Sequence, residues 1–507
     1  MESTDEKVEA KRSKAISPSH KPSLFFNIKT VIVAGFALIS SGYQSNVFNL
    51  NNLFFTRIYG SNVFTSDVSA RIGNALFVGS IVGQLGFGVF VDRFGRKTGL
   101  LLTTFLIVIG TGLCASAYGV GGSSQGLFWA LTIYRGITGV GTWNPDVEIC
   151  KQDNFELLLD YISGGEYPCS SIAASEASDE VVSSARGGGV LVMATNFVIV
   201  LGGIVAVCVN LLLLTTLGEN KLELIWRMSF GIGIIFPLSL FYFRLRLPNS
   251  RLYNAEAIRS HVPYGLALSI YWRNLIGSAG CWFLYDFITY PNSIVSSTII
   301  STIVPDNNLM KTSEYQLLLQ LLSLPGVVLG AWAVDKIGRR KTMALGFLVT
   351  GIFGIIIGLA YEVIKSQPVL FVILYAFFLS GANFGPGDCV HLISTEIYPT
   401  ALRGTFYGLS AAVGKTGASV GIQILVPLQE SFTGDMGNRV IFWVCSAIAF
   451  IGVALCLAFI PEYSTHSLED EDLYWRHYLR EHGWNREIGI GNRTRTRWSM
   501  LEMQLEA

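Results

Sequence analysis

The loops GVFVDRFGRKT (Gly88–Thr98) and AWAVDKIGRRKT (Ala331–Thr342) have almost the same sequence, although they lie in different halves of the chain. Each loop follows an apolar stretch long enough to cross a bilayer, and another such stretch comes after it. A short charged loop that recurs between long apolar stretches is typical of membrane proteins built from two related halves. The sequence therefore predicts an internal repeat, with one loop design in each half.

The charged residues of these loops are candidates for a gate between the two halves. They lie where helices end, and there carboxylates and guanidinium groups can pair with neighbouring helix ends. Such pairs would hold one conformation of two bundles that rock against each other. The alternative is that the loops are basic only because positive charge sets membrane topology. The predicted gate residues are Asp92, Arg93, Arg96, Asp335, Arg339 and Arg340.

The composition indicates that most of the chain lies in lipid. The 507 residues are 51% hydrophobic, and only 14% are charged, against about 25% in soluble domains. The mean hydropathy is +0.47. Eleven spans of roughly 20 mostly apolar residues, with a twelfth, interrupted span from Gly126, are predicted near 29–56, 68–91, 98–118, 187–215, 222–246, 271–300, 314–335, 343–362, 368–396, 403–428 and 438–460.

Lysine and arginine are concentrated in alternate loops and in both tails. By the positive-inside rule, this distribution predicts that both termini face the cytoplasm. We expect both tails to be disordered. The predicted division is a cytoplasmic N-terminal tail at 1–28, an N-terminal six-helix bundle at 29–247, a central cytoplasmic loop at 248–270, a C-terminal six-helix bundle at 271–460 and a cytoplasmic C-terminal tail at 461–507.

The doubled loop sequence resembles the signature of the major facilitator superfamily, and the resemblance covers roughly 29–460. It implies an all-α integral membrane protein with twelve helices in two pseudo-symmetric six-helix bundles. It also implies a substrate site near the midplane and transport by alternating access.

A second resemblance concerns the phosphate:proton symporter branch of this superfamily. The stretch GGEYPCSSIAASE (Gly164–Glu176) is similar to the fourth-helix signature of that branch, in which an acid and Tyr-Pro face the cavity. Glu166 and Tyr167 occupy those positions here. The resemblance implies that Glu166 carries protons and that Tyr167 binds substrate.

The seventh span places Trp282, Asp286 and Tyr290 four residues apart, on one face of a helix. This face resembles the substrate and proton face of the same branch. A charge within hydrocarbon costs roughly 2.5–3.5 kcal/mol, so Asp286 is interpreted as functional. With Glu166, it is the predicted proton carrier, because a protonated acid tolerates a nearby anion and an ionised acid repels it.

Lys415, in SAAVGKTGAS, and Asn383, in GANFGPGD, match the phosphate-binding positions of the branch. A phosphate group in a low-dielectric cavity needs a cation and several donors, which Lys415, Asn383 and the predicted aromatic residues supply. Arg135 is predicted to add a second charge; alternatively, it orients backbone and carboxylates. For Asp286 with Lys415, the alternative is a purely structural ion pair.

Within the branch, three stretches look like the fungal glycerophosphodiester permeases: ISSGYQSNVFN (Ile39–Asn49), RLPNSRLYNAEAIR (Arg246–Arg259) and GPGDCVHL (Gly385–Leu392). The resemblance implies proton-coupled import of glycerophosphodiesters, such as glycerophosphoinositol or glycerophosphocholine, across the plasma membrane. One lysine suits a diester, which carries one negative charge and a bulky polyol. The alternatives are an inorganic phosphate:proton symporter and a sensor that binds phosphate compounds without transporting them.

Two features depart from the family pattern. The family commonly has an acid in the first span at the position of Ser41, so coupling here is expected to rely on Glu166 and Asp286. The acidic segment TWNPDVEICKQDNFELLLDYIS (142–163) interrupts the fourth span, and so many charges would not insert into lipid. We interpret this segment as a retained intron; a real extramembrane insertion is the alternative.

The remaining predictions concern enzyme activity, cofactors, partners and the acid Asp388. The sequence has no Ser/His/Asp or metal-ligand constellation, so it predicts no enzyme activity, no cofactor and no metal site. The expected partners are a small organic phosphate, protons and the lipid bilayer, with no nucleic acid, and the chain is expected to be a monomer. Asp388 lies near the end of its predicted span and is interpreted as a helix-terminus charge.

Overall fold

The computed structural model describes residues 24–94, 96–140, 188–239, 263–432, 434–462 and 468–484. This part of the chain is helical and contains no strand. The α-helices are α1 (Leu24–Tyr59), α2 (Ser66–Phe94), α3 (Arg96–Ala115), α4 (Ser124–Val140), α5 (Gly188–Ala194), α6 (Asn196–Leu217), α7 (Leu222–Ile232), α8 (Tyr264–Ile303), α9 (Leu309–Lys336), α10 (Arg339–Ile364), α11 (Pro368–Ala382), α12 (Asp388–Glu396), α13 (Arg403–Ser431), α14 (Met436–Phe459) and α15 (Leu468–Glu481).

Long apolar helices make up most of the described residues, as a membrane protein requires. Seven spans are long and apolar enough to cross a bilayer: Gly188–Leu217, Glu219–Ser239, Leu309–Lys336, Arg339–Ile364, Pro368–Glu396, Arg403–Gln429 and Met436–Phe459. With α1–α4 and α8 they form the predicted twelve spans, so the all-α fold is confirmed. Side chains such as Leu359 and Val363 are exposed on the outer surface, where lipid replaces water.

Each half of the molecule packs its helices in the same way. In the first half α1 packs against α6, and in the second half α8 packs against α13. Glycine permits both approaches: a Cβ on Gly42 would lie 2.0 Å from the Ile199 carbonyl oxygen, and one on Gly417 would lie 2.2 Å from that of Phe283. The two bundles are therefore related by their packing as well as by their loop sequences.

The two bundles contact each other on both faces of the membrane within the described residues. We call the face at which α1 begins the starting face and the other face the opposite face. On the opposite face, the Asn49 amide nitrogen donates to the Ser296 hydroxyl at 3.0 Å and to the Ser293 carbonyl oxygen. On the starting face, the Gly189 amide donates to Asp335 Oδ2 at 3.1 Å. Within the described residues, the two bundles are therefore joined by hydrogen bonds on both faces.

Three predicted boundaries differ from the structure. Helix α1 already begins at Leu24, inside the predicted N-terminal tail. Helix α8 already begins at Tyr264, inside the predicted central loop. The predicted disorder of the C-terminal tail is wrong for α15, which packs against the second bundle through buried Trp475 and Leu479. Asp472 on α15 accepts hydrogen bonds from the Thr400 amide and hydroxyl at 2.5 and 2.6 Å. The segment 142–163 lies outside the described residues.

Candidate functional site

Lys415 on α13 and Asp286 on α8 form a buried ion pair. Lys415 Nζ lies 3.0 Å from Asp286 Oδ2, and the two side chains are only 3% and 1% exposed. Lys415 also donates to the Tyr290 hydroxyl at 2.7 Å, and its ammonium lies 4.0 Å from the centre of the Tyr290 ring. The structure therefore brings together three of the residues that the sequence predicts for the site.

Glycines on either side of Lys415 allow α13 to lie close to α8. A Cβ on Gly414 would lie 2.3 Å from Trp282 Cδ1, and the neighbouring contact of Gly417 is with the Phe283 backbone. Trp282, Asp286 and Tyr290 all face α13, as their four-residue spacing predicts. The spacing of these three residues therefore predicts which face of α8 forms the site, and the glycines of α13 allow Lys415 to lie against that face.

The site reaches the interface between the two bundles. Phe77 on α2, in the first bundle, packs against Tyr290 with ring centres 4.6 Å apart. Helix α2 also packs along α13, which carries Lys415. A substrate that binds Lys415 would therefore lie beside the contact between Tyr290 and Phe77, and this contact must change when the bundles move.

His391 and Tyr407 extend the site and were not predicted from the sequence. The Trp282 ring lies 4.8 Å from the His391 ring and 5.4 Å from the Tyr407 ring, measured between ring centres. His391 Nδ1 lies 2.8 Å from the Tyr407 hydroxyl. The sequence contains no signal for this contact, since only folding brings α12 and α13 together.

Asn383 lies in a second polar group beside the ion pair. It begins a π-helical turn, Asn383–Gly387, between α11 and α12. The Tyr285 hydroxyl donates to Asn383 Oδ1 at 3.4 Å, which places Asn383 next to the helix that carries Asp286. Asp388 follows this turn as the first residue of α12, so it lies at a helix terminus as predicted, but it is completely buried inside the Pro368–Glu396 span and not at the end of that span.

Arg135 lies within the first bundle. Its Nε donates to the Ile72 carbonyl oxygen of α2 at 3.0 Å, and its guanidinium lies 4.7 Å from the centre of the Phe48 ring. Among the described residues, no hydrogen bond joins it to Asp286 or Lys415. This contact matches the alternative in which Arg135 orients backbone, while its role with substrate stays a prediction.

The second charged loop joins several helix ends. Asp335 accepts a hydrogen bond from Gly189 of the first bundle, and Arg339 forms two hydrogen bonds with Glu396, at 3.0 and 3.2 Å. Arg340 donates to the Leu457 carbonyl oxygen near the end of α14. Gly338 has a φ of 97°, which only glycine adopts readily, and this explains the glycine in the loop sequence.

The other predicted site residues cannot be placed relative to this geometry. Glu166 and Tyr167 lie outside the described residues. For Asp92, Arg93 and Arg96, the structure describes the backbone of α2 and α3 but not the side chains. Their roles stay predictions.

The chemistry of the site follows from Lys415, the cation that the described residues place there. Lys415 is neutralised by Asp286, and a buried charge that loses its partner costs about 3–5 kcal/mol. An anion could therefore replace the Asp286 carboxylate beside Lys415 if that carboxylate took up a proton. Tyr290 already supplies a hydroxyl at the same nitrogen. The arrangement can exchange a proton on one residue for an anion on another.

Comparisons with known proteins identify the family of the chain. The model of the sugar (and other) transporter family matches residues 28–142, 158–261 and 254–475, and the break after residue 142 falls in the predicted insertion. Glycerophosphoinositol permease 1 of Candida albicans is 41% identical over 91% of this chain and 83% of its own length. Glycerophosphoinositol transporter 1 of Saccharomyces cerevisiae is 39% identical over 96% of this chain and 88% of its own length.

More distant proteins share the fold. A probable inorganic phosphate transporter of rice is 24% identical over 88% of this chain and 91% of its own length. The solved structure of the major facilitator superfamily proton:xylose symporter XylE, bound to 6-bromo-6-deoxy-D-glucose, has a TM-score of 0.68 at 17% identity and covers 90% of this chain and 100% of its own. The predicted fold of two pseudo-symmetric bundles and the predicted family are confirmed. The chain therefore belongs to the sugar (and other) transporter family of the major facilitator superfamily, alongside the fungal glycerophosphoinositol permeases, and is a multi-pass membrane transporter and not an enzyme.

Proposed function

We propose that the protein imports glycerophosphodiesters, such as glycerophosphoinositol or glycerophosphocholine, together with protons. Import takes place across the plasma membrane, with both termini in the cytoplasm and the chain acting as a monomer. The observation that carries the proposal is the position of Lys415, which contacts both Asp286 and Tyr290. The names of the two fungal relatives, at 41% and 39% identity, support this substrate class.

The transport cycle begins with the site open to the outside. Asp286 takes up a proton and no longer competes for Lys415, so the phosphodiester binds the ammonium and the Tyr290 hydroxyl. Trp282, Asn383 and Tyr167 add apolar surface and hydrogen bonds around the substrate. Arg135 holds α2 in place beside the site through the Ile72 carbonyl oxygen.

Opening to the cytoplasm completes the cycle. The site then releases the substrate, Asp286 loses its proton, and the ion pair with Lys415 forms again. Glu166 is a second proton carrier in this scheme. The gate loops, including Asp335 and Arg339, close the cytoplasmic face while the site is open to the outside. The membrane potential assists the net inward movement of positive charge by about 2.3 kcal/mol per elementary charge and 100 mV.

The substrate can be tested in cells that lack their own carriers for phosphate compounds. Uptake of radiolabelled glycerophosphoinositol is measured at acidic pH, with an uncoupler control and with excess unlabelled phosphate or glycerophosphocholine. We expect uptake that the uncoupler abolishes and that phosphate does not compete away. Full competition by phosphate, with phosphate itself carried, would instead support an inorganic phosphate symporter. Binding without uptake would support a sensor.

A further inference from the structure

Asp388 and Asn196 form a second buried contact between the two bundles. Asn196 Nδ2, on α6, donates to Asp388 Oδ1, on α12, at 2.7 Å. The two residues are 2% and 0% exposed, and they lie in spans that belong to opposite bundles. Any movement that separates α6 from α12 must break this hydrogen bond.

The other oxygen of Asp388 has no hydrogen-bond partner in the described part of the chain. Asp388 Oδ2 is fully buried and accepts no hydrogen bond, and no described cation pairs with it. An ionised carboxylate in this position is costly, because burial removes its water and no charge replaces that water. The site therefore suits a carboxyl group that is protonated during part of the cycle.

The titratable groups on the surrounding helices are engaged elsewhere. Helices α5 and α6 contribute only Asn196 to this contact and carry no acid or base near it. The groups on the other packed helices and their partners are Tyr285 with Asn383, Asp335 with Gly189, Arg339 with Glu396, Lys415 with Asp286, His391 with Tyr407, and Cys389 with the Arg339 carbonyl oxygen.

The carbonyl oxygen of Phe384 lies beside Asp388 Oδ2 and can accept a hydrogen bond from this oxygen when it is protonated. A Cβ built on Gly330 of α9 would be 1.9 Å from Asp388 Oδ2 and 2.3 Å from the Phe384 carbonyl oxygen, so these two oxygens are close neighbours. Phe384 belongs to the π-helical turn, where the regular hydrogen-bond pattern is interrupted. A protonated Oδ2 can donate to this carbonyl oxygen, and the missing side chain of Gly330 leaves the room for it.

Asp388 is linked to the first site through Tyr285. A Cβ on Gly387 would lie 2.8 Å from the Tyr285 hydroxyl and 3.0 Å from Asn196 Nδ2. The Tyr285 hydroxyl and the Asn196 amide therefore both lie close to Gly387, the residue before Asp388. Tyr285 precedes Asp286 on α8. Helix α5 ends at Ala194, where Thr195 leaves helical geometry, so Asn196 stands next to a bend. Movement at this bend would act directly on the bond between Asn196 and Asp388.

We propose that Asp388 is a further proton-binding site of the transport cycle, besides Asp286 and Glu166, an inference that rests on the proposed proton-coupled function. The ionised carboxylate accepts a charge-assisted hydrogen bond from Asn196 and holds the bundles together on the starting face. A proton taken up from the outside occupies Oδ2, turns that oxygen toward Phe384 and weakens the bond to Asn196. The starting face then opens, and the proton leaves on that side.

The test measures proton stoichiometry with purified full-length protein in proteoliposomes. The substrate gradient at which net glycerophosphoinositol flux is zero is determined at several imposed pH gradients, for the natural protein and for Asp388→Asn. We expect Asp388→Asn to move one proton fewer per substrate, which lowers accumulation about tenfold per pH unit of gradient. Exchange of labelled for unlabelled substrate should continue, because the Lys415 site is intact.

The outcomes separate this inference from the proposed function. If the natural protein carries no glycerophosphoinositol, the proposed function fails first. If the natural protein is coupled and Asp388→Asn has the same stoichiometry, Asp388 binds no proton in the cycle and the inference is overturned.

A second variant keeps the test decisive if Asp388→Asn does not fold. Asn196→Val keeps the acid but removes its donor, and we expect the pH of half-maximal uptake to rise by about one unit. Asn210→Val is the matched control, since Asn210 lies on the same helix and bonds the Val47 carbonyl oxygen within one bundle. An unchanged pH profile in Asn196→Val would count against the proton site.

Discussion

Lys415 and Asp286 lie on different helices of the second bundle, with Nζ and Oδ2 3.0 Å apart and almost no exposure to solvent. A buried pair of this kind is weak evidence for stability, since apolar replacements of both partners are often neutral or stabilising. The pair contacts Tyr290, which in turn packs against Phe77 of the first bundle. We therefore interpret it as the coupling point between substrate, proton and bundle movement.

Loss of the cation should abolish binding of the anion. In Lys415→Ala we expect loss of glycerophosphoinositol uptake and of exchange, because no other described cation contacts Asp286 or Tyr290. Isothermal calorimetry with the purified variant checks binding directly. The double variant Asp286→Asn with Lys415→Gln controls for an unpaired buried carboxylate. If this double variant transports normally, the ion pair is purely structural.

Loss of the acid should separate binding from accumulation. Asp286→Asn keeps the shape of the side chain but carries no proton, so we expect substrate exchange to continue and accumulation against a gradient to be lost. Uptake is followed with and without an uncoupler. Full uncoupler-sensitive accumulation by Asp286→Asn would remove Asp286 from the proton path.

Close helix packing beside the site should be sensitive to one added methyl group. In Gly417→Ala the new Cβ meets the Phe283 carbonyl oxygen, and we expect the protein to lose about 1–3 kcal/mol of stability. Thermal unfolding in detergent measures this effect. Gly265→Ala is the matched control, because it lies on α8 with no atom within 4 Å of the new Cβ. Equal stability of the two variants would contradict the packing argument.

The opposite face should open and close during transport. Cysteines placed at Asn49 and Ser296 join α1 to α8 when bridged by a short thiol cross-linker, because the native side chains are 3.0 Å apart. We expect cross-linking to stop uptake and a reductant that cleaves the linker to restore it. Either single cysteine variant serves as the control. Transport at full rate by the cross-linked protein would exclude movement at this contact.

Docking of α15 should depend on pH through Asp472. Burial raises the pKa of the Asp472 carboxyl above its ordinary value, while Arg403 and the Thr400 donors act in the opposite direction. Because the docked helix then binds protons more tightly than the free helix, docking weakens as pH rises through that raised pKa. Labelling of a cysteine at buried Leu479 should increase over this range.

The same labelling experiment contains its own controls. Asp472→Asn should remove the pH dependence of labelling, and Glu481→Gln, a change at an exposed position of α15, should leave it unchanged. If labelling of the Leu479→Cys variant with Asp472 intact does not vary with pH, the assignment to Asp472 is contradicted.

Sequence spacing predicted the parts of the site that lie on one helix. The four-residue spacing of Trp282, Asp286 and Tyr290 determined their shared face, since a helix completes a turn every 3.6 residues. Lys415 lies on another helix, and it was predicted from its resemblance to a phosphate-binding position of the symporter branch and not from spacing. The repeat of the charged loops predicted two related bundles, because similar local sequences form similar local structures.

Sequence spacing did not predict the contacts between helices. The bond between Asn196 and Asp388 depends on a bend at Thr195 and on the π-helical turn, and neither irregularity has a period that can be counted. Arg135 bonds a backbone carbonyl oxygen, which no side-chain pattern reveals. Helix α15 is rich in charge and resembles a solvated tail, although its apolar side chains face the bundle.

The most direct test of the central claim uses purified protein in proteoliposomes with an imposed inward proton gradient. The account predicts that radiolabelled glycerophosphoinositol accumulates above its outside concentration, that a protonophore collapses the accumulation, and that Lys415→Ala shows none. Entry that only equilibrates, or accumulation that persists with the protonophore, would contradict proton-coupled transport through the pair of Lys415 and Asp286.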